Sequence, residues 1–288
     1  MTTIDESPVP TIPTIPACTV IPARSLAVLG DSTAVGLGDP LPDGSWRGVG
    51  PLIAEALGID RNSANYLNTS FTGARMACVR TDQLPAALRL RPDVTVIVVG
   101  MNDTLRSDFD AGTLAADLDA IVTALQRVGS VPLMLRFHDH ARVFRLPRPL
   151  ARALRDRIAE LNDVIDLIVA RRGVGCFDVG AEEGTYQLCS WSVDRLHPSE
   201  FGHRILARGF TRLIADAGFA VPAPVSLQTR GGKASGTADH IGWLIAQGIP
   251  WLWRRGRDLV PYAASMMVRT AARAAAREVS LPRGPEGY

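Results

Sequence analysis

The sequence predicts an α/β protein: a three-layer α/β/α sandwich around a five-stranded parallel sheet, followed by a C-terminal helical appendage. Three observations carry this expectation. Short apolar runs alternate with segments of helical periodicity between residues 25 and 220. The run from Val94 to Gly100 is apolar almost throughout, as in a strand covered on both faces. Each run is separated from the next by a helical segment, the connection that parallel neighbours need.

In chain order, SLAVLG (25–30) reads as a short apolar strand and WRGVGPLIAEALG (46–58) as the helix after it. NYLNTS (65–70) is a weaker strand, with a helix around 81–90. DVTVIVVG (93–100) is the strongest strand. Leu114, Leu118, Ile121, Val122 and Leu125 then recur at three-to-four spacing, the mark of an amphipathic helix. VPLMLRF (131–137) is a strand, and Leu154, Ile158, Leu161, Ile165 and Ile168 form the apolar stripe of a long helix. VGCFDV (174–179) is the last strand. SEFGHRILARGFTRLIADAG (199–218) closes the domain as a helix, with Ser199–Glu200 and Gly218 at its ends as capping signals.

Outside this body, residues 1–24 hold Pro8, Pro10, Pro13, Pro16 and Pro22 and read as an extended arm. Residues 221–239, rich in Pro, Gly, Ser and Thr, read as a linker. Residues 240–288 carry Trp243, Trp251 and Trp253, and seven arginines against three acids, Asp258, Glu278 and Glu286. Tryptophan with a basic amphipathic helix is the composition of an interfacial membrane anchor. A helical hairpin packed on the domain, or a dimerisation element, fits the alanine-rich apolar face as well.

Apolar residues make up 47% of the 288 and charged residues 21%, the range of ordinary globular proteins. The formal charge of +2 gives no bulk attraction for nucleic acid, and none is expected as a partner. No stretch approaches the roughly 18 apolar residues of a spanning helix. Cys18, Cys78, Cys176 and Cys189 form no CxxC and no Cys/His metal spacing. They read as free thiols of a cytoplasmic protein, the alternative being a Cys176–Cys189 disulfide in an exported one. The N-terminus MTTIDESPVP has acids where a signal peptide needs basic residues.

Four segments fall where an open parallel sheet binds ligands, at the carboxyl ends of its strands or on a loop able to reach them. They are Gly30-Asp31-Ser32, the stretch Asn68 to Gly73, Gly100-Met101-Asn102-Asp103, and Asp194-Arg195-Leu196-His197. Serine is a weak nucleophile until a base takes its proton, a task for His197. Asp194, three residues earlier, can fix the histidine tautomer and stabilise the imidazolium. The backbone N–H groups of Ser32 and Gly73 and the side-chain amide of Asn102 can receive an oxyanion. At Gly73 the missing Cβ would let backbone approach the ligand.

In these blocks the sequence resembles the SGNH (GDSL-type) hydrolase family, named for its Ser, Gly, Asn and His. The matching residues are Ser32, Gly73, Asn102 and His197, with Asp194 as the aspartate of a DxxH block, and the resemblance covers residues 25–218. It implies a flavodoxin-like sandwich and hydrolysis of esters, thioesters or acetylated sugars, with no metal and no cofactor. Asp31 and Asp103 match the motifs too and read as structural, orienting the turns. Thr33 stands where the GDSL pattern has leucine, which bears on subfamily and not on chemistry. The α/β-hydrolase elbow is excluded, since Gly-Asp-Ser-Thr-Ala lacks the second glycine of G-x-S-x-G.

His138-Asp139-His140 follows the fourth strand at the same end of the sheet. It has too few ligands for a metal, and His138 or Asp139 could line the substrate pocket or cap a loop. Trp191, close to the Asp/His block, could wall the acyl pocket, while His203 reads as a packing histidine. The expected activity is carboxylic-ester hydrolysis on a lipid, an acylated sugar or a small ester. Two alternatives stay open: an acyltransferase with the same residues, and a non-catalytic lipid- or partner-binding protein organised by the tail.

Overall fold

The apolar runs form strands within their expected segments, and the amphipathic stretches fold over them. The structure, a computed structural model, describes residues 20–144, 146–231 and 264; the expectations for residues 1–19 and 240–288 otherwise lie outside the described residues. In order the elements are β1 (Ile21–Pro22), β2 (Leu26–Gly30), α1 (Ser32–Val35), α2 (Val49–Leu57), β3 (Tyr66–Asn68), α3 (Met76–Cys78) and α4 (Leu84–Leu90). There follow β4 (Val94–Val98), α5 (Met101–Thr104), α6 (Ala111–Arg127), β5 (Val131–Arg136), α7 (Arg148–Arg172), β6 (Gly175–Asp178), α8 (Glu200–Asp216) and β7 (Phe219–Ala220).

Five strands make one parallel sheet in the order β3-β2-β4-β5-β6. β2 and β4, at its centre, are buried at every position, which is why their sequences are continuously apolar instead of alternating. Helices α2 and α8 pack together, as do α6 with α7 and α4 with α6, and the apolar stripe of each turns into the buried core. The chain moves outward from β2 to β3 and then returns to the other side of β2 as β4. That reversal is the switch point at which doubly wound sheets bind ligands. Ser32 lies two residues beyond β2, and Asn102 lies four beyond β4.

Two elements differ from the sequence expectation in ways that serve the site. The first helix starts at Val49 instead of Trp46. Arg47 is held outside it by a two-pronged bond to Asp39 at 2.8 and 2.9 Å and by an ion pair with Glu200 at 2.7 Å. The helix expected around 81–90 begins at Met76 and contains a π-helical turn over Val79–Gln83. The extra residue in that turn brings the buried Gln83 carboxamide onto Gly30, where it accepts from the backbone N–H at 2.7 Å and donates to the carbonyl at 2.8 Å.

The ends of the described domain are pinned. β1 pairs in parallel with β7. Residues 221–231, inside the expected linker, lie along the domain, with Val221, Val225 and Leu227 against the core. Ala223 N–H bonds the Ala56 carbonyl, Arg204 reaches Ser226 O, and Arg230 N–H donates to Glu200. Cys78, Cys176 and Cys189 are unpaired thiols. Among the described residues no helix is long and apolar enough to cross a membrane.

Candidate active site

The strand–turn boundary after β2 sets the first side chain. Gly30, at φ +151°, lies so close to β4 that an added Cβ would sit 2.0 Å from the Val98 carbonyl oxygen. Asp31 then caps α1, its carboxylate accepting from Thr33 N–H at 3.0 Å. Ser32 is thereby the first residue of a short helix at the carboxyl end of the sheet, and it is buried.

His197 comes from the loop before α8. Its Nε2 is 2.7 Å from Ser32 Oγ, and its Nδ1 is 2.5 Å from Asp194 Oδ2. The other Asp194 oxygen accepts from Ser192 Oγ at 2.6 Å, Leu196 N–H at 2.9 Å and His197 N–H at 3.0 Å. Burial alone would raise the Asp194 carboxyl. The hydrogen bond and charge of His197 outweigh it and hold the group down at about 2. The turn closes with Arg195 at φ +53°, an uncommon conformation for a residue with a side chain.

Gly73 is the third residue of a turn closed by Ala74 N–H on the Phe71 carbonyl. Its φ is +82°, and an added Cβ there would meet nothing within 4 Å. The positive φ suits a turn position that favours glycine, and the space beside its Cα is open. Asn68 steadies this segment by donating to the Ala34 carbonyl at 3.0 Å and accepting from Ser70. The Ser32 and Gly73 N–H groups have no hydrogen-bond partner among the described residues. Asn102 Nδ2 donates to the Ala74 carbonyl at 3.1 Å and faces Asp31 Oδ2 at 3.4 Å. Burial pushes the Asp31 carboxyl up to about 7, against the pull of the Thr33 bond and of His197. Asp103, also raised by burial, holds Met76 N–H at 3.1 Å and Arg75 at 3.2 Å.

Beside Ser32 lies a mainly apolar pocket with about 50 Å³ of free space. Thr33, Met101 and Leu196 line it, the chain neighbours of Ser32, Asn102 and His197, and all three are half-buried. Deeper in, Leu135, His138 and Trp191 complete the wall. Trp191 is fixed by its indole N–H on the Thr185 carbonyl at 2.7 Å. Asp139 does not reach this pocket. It caps the turn His140–Arg142 and pairs with Arg155 at 2.9 Å, lining an open groove on the far side of His138. His203 is fully buried, with Nε2 on the Leu37 carbonyl at 2.9 Å. Among the described residues no group of three or more His, Cys, Asp or Glu is placed to hold a metal ion.

Sequence reasoning missed Gln83, although a signal was present. Val79, Gln83 and Ala87 recur at four-residue spacing, and a polar residue on such an apolar stripe needs a buried partner. Ser192, the third donor to Asp194 Oδ1, carried no comparable signal.

The family model described as "GDSL-like Lipase/Acylhydrolase family" matches residues 28–205, more than half of the 288 and inclusive of all four blocks. The chain belongs to that family. It is accordingly a carboxylic ester hydrolase. No curated protein matches it. Among solved structures, the hydrolase is similar to LAE5, an alpha/beta hydrolase enzyme from the metagenome of Lake Arreo, Spain. That match has TM-score 0.54 and 19% identity, covering 69% of this chain and 98% of the other. Axe2, an acetylxylan esterase from Geobacillus stearothermophilus, matches with TM-score 0.51 and 19% identity over 68% of this chain and 96% of that one. TesA matches with TM-score 0.51 and 22% identity over 67% and 99%. These likenesses speak to the fold.

Proposed function

We propose that the hydrolase cleaves esters through a covalent acyl-enzyme on Ser32, with His197 as general base and acid and Asp194 as its orienting partner. The observation that carries this reading is the unbroken chain Ser32 Oγ–His197 Nε2–His197 Nδ1–Asp194 Oδ2, with separations of 2.7 and 2.5 Å. His197 Nε2 takes the Ser32 proton as Oγ attacks the ester carbonyl. The ionised Asp194 carboxylate stabilises the imidazolium that forms. His197 returns the proton to the departing alcohol, then takes one from water, and the hydroxide equivalent releases the acid.

The oxyanion is received by the Ser32 and Gly73 N–H groups and by the Asn102 amide. One Asn102 proton stays on the Ala74 carbonyl; the other turns from its long contact with Asp31 to the oxyanion. The pocket behind Thr33, Met101 and Leu196 receives the acyl chain, and its small volume and apolar wall favour short acyl groups. One of the similar structures in this fold, Axe2, is an acetylxylan esterase by description; an acetyl group is among the small acyl groups that this pocket would take.

The test is labelling by a fluorophosphonate probe together with a chain-length series of p-nitrophenyl esters. The probe is expected on Ser32, with loss of label in Ser32→Ala, and kcat/KM is expected to peak at short acyl chains. A label retained in Ser32→Ala would remove the nucleophile. Undiminished kcat/KM on long-chain esters would remove the pocket assignment.

A further inference from the structure

Helix α7 and the turn that leads into it carry an uneven charge. Between Asp139 and Arg157 the sequence has six arginines against two aspartates, whereas the whole chain is only +2. Arg142, Arg148, Arg152 and Arg155 are exposed. Arg155 is neutralised by Asp139 at 2.9 Å. Arg142 lies over the Tyr186 ring, 3.6 Å from its centroid, a contact that leaves its charge without a counter-ion. Arg148 and Arg152 have no carboxylate partner among the described residues, and Asp156, one turn beyond Arg152, forms no ion pair with it.

Apolar groups are interleaved with these cations. Phe144, Leu146 and Leu150 are half-buried, and Pro147 and Pro149 are exposed. Guanidinium groups alternating with partly exposed apolar side chains suit the boundary layer of an anionic bilayer. There the cations meet headgroup phosphates and the apolar groups reach the first carbons of the acyl chains.

The placement fits an ester hydrolase. Helix α7 follows β5, so its first turns stand at the carboxyl end of the sheet, the end at which Ser32 and Asn102 follow β2 and β4. Arg142 is two residues from His140, which lines the pocket beside Ser32. The adjoining groove holds Asp139, Asp163 and Asp178 along with Arg136 and Arg155. Carboxylates among the cations would oppose a single anionic strand laid in that groove, so the three uncompensated arginines act from the outer surface.

We propose that the surface carrying Arg142, Arg148 and Arg152 is a docking surface for an anionic lipid bilayer, and that docking brings the carboxyl edge of the sheet to the headgroup layer. The docking does not depend on which residue is the nucleophile. Only its benefit to catalysis rests on the Ser32–His197–Asp194 reading.

The experiment is co-sedimentation of the full-length protein with vesicles of phosphatidylcholine alone and of phosphatidylcholine and phosphatidylglycerol in a two-to-one ratio. The wild type is compared with the triple variant Arg142→Gln/Arg148→Gln/Arg152→Gln. The control is Arg61→Gln/Arg89→Gln/Arg127→Gln, which removes three exposed arginines at or beyond the carboxyl ends of α2, α4 and α6, at the opposite edge of the sheet. The wild type is expected to bind the anionic vesicles and not the zwitterionic ones, and to release them at high salt. An arginine near an anionic surface is worth about fivefold in binding, so the first triple should bind about 100-fold more weakly and the control within about threefold.

Turnover of p-nitrophenyl acetate is expected to stay at the wild-type level in both triples. If the first triple loses that activity or its thermal midpoint, Arg148→Gln and Arg152→Gln singly carry the comparison, each with a loss of about fivefold. Wild-type binding by the first triple, or an equal loss in the control, would overturn the proposal. So would equal binding to both kinds of vesicle, or retention on heparin without binding to any vesicle, which marks a soluble polyanion as partner. Ser32→Ala should bind vesicles as the wild type does, so failure of the nucleophile assignment and failure of the docking surface are read separately.

Discussion

Asp31 neighbours Ser32 in the chain, Asp194 binds the far ring nitrogen of His197, and their environments push the two carboxyls in opposite directions. Asp31 belongs to the nucleophile's half, seated at the end of β2 among core residues, and burial lifts its carboxyl to about 7. Asp194 belongs to the base's half, a loop tied together by side-chain oxygens. Three donors and the His197 ring nitrogen hold its carboxyl at about 2. Ser32 is thus placed by the hydrophobic sheet and His197 by a polar turn. Damage to the first half should register in stability, and damage to the second in turnover.

The largest effect should come from the polar half. Asp194→Asn is expected to cut kcat about 10³- to 10⁴-fold, because an amide cannot stabilise the imidazolium and favours the wrong histidine tautomer. Its denaturant midpoint should move less than that of any core variant. Steady-state kinetics and urea unfolding on one preparation check this, and a large loss of stability with normal turnover would reverse the contrast.

Gln83→Ala tests the other half. It leaves the Gly30 N–H buried and unpaired and its carbonyl with only the long bond from Phe71 N–H at 3.4 Å, a cost of about 1–3 kcal/mol in unfolding free energy. The kcat of the folded enzyme should stay near that of the wild type. Urea titration read beside turnover below the transition decides it.

The smallest effect sharpens the comparison through pH. The folded pKa of Asp31, about 7, stands above the ordinary 3.8, so the folded state holds its proton more tightly than the unfolded one. The stability that this proton supplies is complete below pH 4 and is lost as pH rises through 7. Asp31→Asn keeps a cap for Thr33 N–H and never ionises. It should therefore be more stable than wild type at pH 8, by about 1–2 kcal/mol, with the two proteins converging below pH 4. Equal stability at pH 8 would show that Asp31 is not the buried acid of this half.

Much of this arrangement was legible in the residues. The strands were readable because a sheet covered on both faces writes uninterrupted Val, Ile and Leu, and the catalytic blocks because each follows a strand end or precedes the closing helix. What escaped depends on three-dimensional meeting. The π-helical turn that delivers Gln83 leaves no periodicity of its own. The start of helix α2 is set by a long-range contest, in which Arg47 goes to Asp39 and Glu200 and not to the helix. His138-Asp139-His140 stood out as a string, but its members part company: the histidines turn inward to Trp191, and Asp139 turns outward to Arg155. Gly73 was legible as a residue without a Cβ, but the turn closed by Ala74 N–H on the Phe71 carbonyl, which gives it a positive φ, was not.

The strap formed by residues 221–231 has a geographic consequence. β7 lies just past the carboxyl end of α8, and from there the chain runs back along that helix, passing Arg204 at Ser226 and reaching Glu200 at Arg230. α8 has 17 residues, so the return covers about 25 Å. It ends at Glu200, three positions along the chain from His197. The strap therefore ends with its backbone bonded to the same carboxylate that pairs with Arg47 and Arg204, so one buried acid fastens three separate segments of the domain.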